Sequence, residues 1–86
     1  MHDTILLNKI SQGLSECCKT QKISKINELT VAVNKKSHVN SENLTDYLKN
    51  YNKALVSSSL KIKVEIEDLP DQTAMIRRLE GEVAEN

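Results

Sequence analysis

Apolar residues recur every three or four positions in two stretches of the chain, which predicts two amphipathic helices. The first helix is expected from about Asp3 to Lys22, with Asp3 or Thr4 as its N-cap. The second is expected to begin after Asn40, a residue type that caps helices well. Its buried face is predicted to consist of Leu44, Tyr47, Leu48, Tyr51 and Leu55.

Apolar and polar residues alternate in three other stretches, which predicts strands with one buried face. The first strand is expected from about Lys25 to Asn34, and the second, with the most regular alternation, from Leu60 to Glu67. The serine-rich stretch Val56–Ser59 is expected to be a linker. The third strand is expected from Thr73 to about Glu82, and its alternation breaks at Arg77-Arg78, which indicates a β-bulge or an edge strand.

The predicted order of elements is α-β-α-β-β, which indicates an α/β chain of the two-layer α+β type. A strand–helix–strand unit favours parallel pairing of the first two strands. The turn expected at Leu69–Gln72 favours a hairpin of the last two strands. The charged residues placed to pair across that hairpin are Glu65, Glu67, Asp68, Arg77 and Arg78. The sequence therefore predicts a three-stranded mixed sheet with two helices on one face.

Composition excludes several classes of function. A chain of 86 residues allows one small domain, and 12 basic and 12 acidic residues give a formal net charge of zero. No general attraction to nucleic acid or to an anionic membrane follows from that charge. With two tyrosines and no Trp or Phe, a stacking surface for single-stranded nucleic acid is not expected. The chain has no apolar run of membrane-spanning length and no secretory signal, so a cytoplasmic location is expected.

Cys17 and Cys18 are adjacent on the first predicted helix. Adjacent cysteines rarely form a disulfide with each other, and this spacing is not that of a zinc site. A packing role is therefore expected. Because no Gly-rich phosphate loop or familiar catalytic motif accompanies them, enzyme activity is not expected.

The strongest candidate for chemistry is the N-terminal Met1-His2-Asp3. A bulky second residue normally prevents removal of the initiator Met, so a mature chain that starts at Met1 is expected. The α-amine of Met1 and the amide and imidazole of His2 then supply nitrogen donors in one plane, which suits Ni(II) or Cu(II) rather than zinc. Asp3 can add a carboxylate oxygen or orient the imidazole. The alternative is an ordinary chain end in which Asp3 caps the helix, with His38 as a solvated loop residue rather than a further ligand.

The order of several short motifs resembles that of HypA, the family of nickel-incorporation accessory proteins in NiFe-hydrogenase maturation. Met1-His2-Asp3 resembles the family's Met-His-Glu start, whose His is the nickel ligand. The segment Ser37–Leu44 is similar to its Ser-Gly-Val-x-Pro-Glu-Ser-Leu segment, and Leu60–Pro70 to its Leu-x-Ile-Glu-x-x-Pro strand. Ile76–Glu80 is similar to its terminal Ile-Arg-Arg-Leu-Glu strand.

The resemblance implies a non-catalytic, metallochaperone-like protein that binds Ni(II) through Met1, His2 and Asp3. The partners it implies are a metalloenzyme precursor or a nickel-handling GTPase. A homodimer would help so small a chain to bury apolar surface, although the composition does not require one.

The chain departs from the family at one place. Family members insert a zinc domain with two Cys-x-x-Cys pairs between the last two strands, whereas no cysteine follows Cys18 here, so zinc is not expected. Residues 1–86 are expected to form one nickel-binding-type domain, with that insertion absent between about residues 69 and 73. The alternative is a HypA-related interaction domain without metal transfer, which binds a protein partner through its sheet. The surface in question is an open strand edge, or the face with Lys61, Lys63, Glu65 and Glu67.

Overall fold

Two helices and a three-stranded mixed sheet make up the computed structural model, which describes residues 4–83. The elements are α1 (Thr4–Gln21), β1 (Ile23–Asn34), α2 (Ser41–Tyr51), β2 (Val56–Glu67) and β3 (Ala74–Val83). The predicted α+β class and the order α-β-α-β-β are confirmed.

The strand β1 lies in the centre of the sheet, parallel to β2 on one side and antiparallel to β3 on the other. The predicted parallel pair is confirmed, but the predicted hairpin of β2 and β3 is wrong, because these strands form opposite edges of the sheet. The central position suits β1, whose residues 31–34 are buried without interruption. Residues 68–73 connect the two edges across two strand spacings, about 10 Å, which six residues span easily.

Both edge strands contain irregularities in their pairing with β1. Ile26 lies opposite Val56 and Glu28 opposite Lys61, so β2 carries extra residues within its serine-rich start. The linker predicted at Val56–Ser59 is therefore wrong, since these residues already belong to β2. In β3 the register shifts at Arg77, which confirms the predicted bulge on an edge strand.

The core lies between one face of the sheet and the two helices. The helix α1 packs over β1 and β3, α2 packs over β2, and the helices contact each other. The helical residues buried in this core are Leu6, Leu7, Ile10, Leu14, Cys18, Leu44 and Leu48. Tyr47 is partly buried and packs against this core, but Tyr51 does not join it as predicted: Tyr51 is 71% exposed, and its ring centroid lies 4.4 Å from that of Tyr47.

The predicted N-cap of α2 is confirmed. The side chain of Asn40 accepts a hydrogen bond from the backbone N–H of Asn43 at 2.8 Å, and the Asn43 side chain accepts one from the Asn40 N–H at 2.9 Å. This reciprocal capping box fixes the start of α2 directly after the buried Val39.

A buried polar cluster joins the two helices and was not anticipated from the sequence. Asn52, at the C-terminal end of α2, donates from Nδ2 to Ser15 Oγ at 2.9 Å and accepts a short hydrogen bond from Ser11 Oγ. Ser11 and Asn52 are both buried. Because the buried polar atoms of this cluster are paired, it fixes how the end of α2 lies on α1.

Candidate functional site

The helix α1 begins at the end of the sheet at which β1 and β2 finish. Lys9 Nζ donates a hydrogen bond to the backbone carbonyl of Gln72 at 3.1 Å, just before β3 begins. Gly13 lies beside Ile76, further along β3, so α1 runs in the same direction as β3. Thr4 therefore lies beyond the start of β3, at what we call the carboxyl end of the sheet.

The proposed metal ligands Met1, His2 and Asp3 lie outside the described residues. The described chain begins at Thr4, which is already helical, and the first turn of α1 is anchored by the buried Leu6.

Two loops with polar side chains also lie at the carboxyl end of the sheet. His38 is exposed in the segment between β1 and α2, and its carbonyl oxygen accepts a hydrogen bond from Asn43 Nδ2 at 2.9 Å. In the other loop, Asp71 accepts from Asn34 Nδ2 at 3.4 Å, while Asp68 lies 3.8 Å from Lys35 Nζ. Among residues 4–83 no three His, Cys, Asp or Glu side chains are grouped closely enough to hold a metal ion.

The two cysteines occupy different environments on α1. Cys18 is buried in the core, as expected for one of an adjacent pair on an amphipathic helix, and its packing role is confirmed. Burial raises the pKa of the Cys18 thiol, and the neighbouring Cys17 adds to that rise. Cys17 is partly exposed, and both thiols are free. Burial therefore disfavours the thiolate, which is the reactive form of a cysteine, at Cys18.

A groove of about 470 Å³ separates α1 from β3. Its floor is formed where Gly13 approaches Ile76, with the nearest side-chain atom 3.9 Å from where a Cβ on Gly13 would lie. The groove is lined by Lys9, Ile10, Gly13, Cys17, Gln72, Thr73, Ala74, Met75 and Ile76. Its walls are mostly apolar, with Lys9 and Gln72 at the end nearest the N-terminus.

The sheet face away from the helices, which we call the open face, carries paired charges. Arg77 donates to both carboxylate oxygens of Glu67, and this ion pair raises the pKa of the Arg77 guanidinium. The predicted pairing of these charges is confirmed for Arg77 and Glu67, but the pair spans β1 instead of a hairpin. On the same face Arg78 pairs with Glu80, and Lys63 Nζ lies 3.5 Å from Glu65.

The outer edge of β2 is the second exposed feature of the sheet. Ile66 points to the helix side of β2, yet it is 57% exposed because α2 does not extend over it. A groove of about 390 Å³ lies between this edge and the start of α2. It is lined by Val39, Asn40, Ser41, Ile62, Lys63, Val64 and Ile66. Strict alternation in the sequence predicts that Ile66 faces the core. It does not show that α2 ends short of this residue and leaves it exposed.

None of the helices formed by residues 4–83 is long and apolar enough to cross a membrane. Comparisons with protein-family models, curated proteins and solved structures gave no significant match to this chain.

Proposed function

We propose that this chain is a non-catalytic, nickel-binding accessory protein of the metallochaperone type, which holds Ni(II) at Met1, His2 and Asp3. The observation that carries the proposal is the position of Met1 and His2 directly ahead of α1. An α-amine, a backbone amide and an imidazole within two residues supply three of the four donors of the square-planar arrangement that Ni(II) favours.

The chemistry of these donors also provides a way to release the metal. The amine and the imidazole bind either a proton or a metal ion through the same nitrogen atom, and the amide must lose its proton before it can coordinate. Acid therefore competes with Ni(II) for every nitrogen of the site. Asp3 is placed to supply an oxygen ligand or to orient the His2 imidazole.

The connection between β2 and β3 is the place where the chain departs from HypA, the family whose resemblance implies the partners. In that family a zinc domain lies between the last two strands. Here six residues, 68–73, make the connection over the carboxyl end of the sheet, with Pro70 and Asp71 exposed. The expected partners are a metalloenzyme precursor or a nickel-handling GTPase.

Calorimetric titration with Ni(II) tests the proposal on untagged protein whose intact mass shows that Met1 is present with a free amine. We expect one Ni(II) per chain, lost in His2→Ala and retained in His38→Ala, the matched control for a surface histidine. A Gly-Ser extension before Met1 should also abolish binding, because it removes the amine from the donor set while His2 stays. Equal affinity in wild type and His2→Ala would overturn the proposal.

A second candidate function is a protein-interaction domain without metal transfer, and the uncovered sheet favours it. Over residues 4–83 no element covers the open face or the outer edges of β2 and β3. Glu28 lies on the central strand of that face and is exposed, so Glu28→Lys reverses a charge there without entering the core. The two functions predict opposite results: partner binding through the sheet is lost in Glu28→Lys and kept in His2→Ala, whereas nickel binding shows the reverse.

A further inference from the structure

The outer edge of β2 is long and regular over its second half. Pairing with β1 proceeds without a shift from Lys61 opposite Glu28 to Glu67 opposite Asn34. No bulge or proline interrupts these residues, so their outward N–H and C=O groups form an unbroken row. An uninterrupted edge of this kind is able to accept another strand.

The charge pattern of this segment is complementary to that of an identical strand running in the opposite direction. Residues 61–67 are Lys-Ile-Lys-Val-Glu-Ile-Glu, with two lysines before Val64 and two glutamates after it. In an antiparallel pair of identical strands with the two Val64 residues opposite each other, Lys63 lies opposite Glu65 of the other copy. Lys61 then lies opposite Glu67, so every charge of this segment meets its opposite.

We propose that two copies of this chain form a symmetric dimer in which their β2 edges pair antiparallel about Val64. The two-fold axis passes between the Val64 residues and is perpendicular to the sheet, so the same face points the same way in both copies. The product is a continuous six-stranded sheet with all four helices on one side. A second copy is the occupant that this edge fits, because its charge pattern complements itself in this single register.

The apolar side of β2 gives an independent reason for the same register. Antiparallel pairing about Val64 places Ile62 opposite Ile66 of the other copy, twice by symmetry. Ile66 is the residue that α2 leaves 57% exposed, and the groove beside it is lined by Val39, Ile62 and Val64. The dimer therefore covers exposed apolar surface with apolar side chains, which favours association.

The other edge of the sheet does not offer the same fit. The strand β3 is interrupted by the bulge at Arg77, so its outer N–H and C=O groups do not form an unbroken row. Pairing β3 with its own copy about Leu79 matches Arg78 with Glu80 but places Arg77 opposite Gly81. Of the two edges, β2 is the one that combines a regular strand, complementary charges and an exposed apolar residue.

Sedimentation over a range of protein concentrations, without metal, tests this dimer independently of the nickel proposal. The wild type should pass from the mass of one chain to that of two. Lys63→Glu places a glutamate opposite Glu65, and Glu65→Lys places a lysine opposite Lys63, so each variant alone should associate roughly tenfold or more weakly. The matched controls Lys36→Glu and Glu16→Lys make the same charge changes at exposed sites away from β2 and should dimerise as wild type.

Mixing the two β2 variants provides the sharpest test. In the mixed dimer, positions 63 and 65 are both acidic in one copy and both basic in the other, so every facing pair is attractive. That dimer should form at concentrations at which each variant alone is monomeric. A far-ultraviolet circular dichroism spectrum like that of wild type shows that both variants are folded. The proposal is overturned by a wild type that stays monomeric at all concentrations, by variants that dimerise as well as wild type, or by variants that fail to associate when mixed.

Discussion

Arg77 on β3 and Glu67 on β2 form a two-point ion pair that crosses the central strand β1. Arg77 Nε donates to Glu67 Oε2 at 3.3 Å and Nη2 donates to Oε1. The residue of β1 on this path is Ala32, which is 0% exposed although it belongs to the open face. A small side chain at this position leaves room for the guanidinium, and the apolar stem of a long side chain that crosses above it is able to shield it from water.

Replacement of Arg77 by Ala should lower the free energy of unfolding modestly. Solvent screens an exposed ion pair, so most of the loss should come from uncovering β1 and should persist at about 1 M salt, where the screening length is about 3 Å. Urea unfolding at low and high salt separates the contribution of the ion pair, which salt weakens, from that of uncovering β1, which salt leaves in place. Arg78→Ala is the control, because Arg78 pairs with Glu80 on its own strand; an equal loss in that variant would contradict the role given to the Arg77 stem.

Gly81→Ala should destabilise the protein by about 1–3 kcal/mol, the usual cost of overpacking. A Cβ at this position would lie 1.9 Å from the backbone carbonyl oxygen of Lys25, and neither backbone is able to move aside cheaply. Gly13→Ala is the control, since its Cβ would meet Ile76 at an ordinary 3.9 Å. That variant should be neutral or gain up to about 1 kcal/mol from helix propensity, as thermal unfolding of both proteins would show.

Asn52→Ala should cost about 1–3 kcal/mol, because it leaves the buried Ser11 hydroxyl without its partner and removes a hydrogen bond to Ser15. Asn50→Ala, at an exposed position of α2 two residues earlier, should change stability by less than about 0.5 kcal/mol. Urea unfolding of the two variants is the measurement. Similar losses in both would mean that the buried cluster is not the cause of the effect, because helix propensity alone favours Ala over Asn.

A disulfide reagent should modify Cys17 well before Cys18. Cys17 is partly exposed, whereas burial both shields Cys18 and raises its pKa. In a time course at about pH 8, just below the ordinary thiol pKa, Cys18→Ala should keep the fast phase and Cys17→Ala should lose it. A fast phase in Cys17→Ala would show that the thiol of Cys18 is accessible.

The pH dependence of stability follows from the same thiol. The unfolded chain releases the Cys18 proton near the ordinary pKa of 9.0, before the folded chain does. The contribution of Cys18 to stability is therefore complete below that pH and falls as the pH rises above it. Cys18→Ala should show a smaller alkaline loss of stability than wild type, as urea unfolding across that pH range would measure.

Local signals predicted the elements well. Asn40 and the apolar residues after it located the start of α2, and alternation located β1 and most of β2, because caps and burial patterns are properties of neighbouring residues. Strand order depends instead on which strand is buried on both sides. In the structure Ala32 and Asn34 are buried on the open face, which is the mark of a central strand. In the sequence, alternation alone places the same two residues on a solvated face.

The candidate site could be predicted only in part for a related reason. The nitrogen donors of Met1 and His2 are evident from the sequence itself. The metal site that they would form stays a prediction, because Met1 and His2 lie outside the described residues. The contact of Ser11 with Asn52 joins residues 41 positions apart, and the exposure of Ile66 depends on where α2 ends. Such relationships require the packing of whole elements and are not encoded by local spacing.

The central position of β1 also determines when the sheet can be completed during synthesis. Every ladder partner of β1 is distant in sequence, from Val56 opposite Ile26 to Val83 opposite Ile23. A nascent chain therefore has no local hairpin to nucleate it, and one side of β1 stays unpaired until the last strand has left the ribosome. Because contacts between residues far apart in sequence form slowly, we expect this sheet to form more slowly than one built from local hairpins, with β1 open to wrong partners in the meantime.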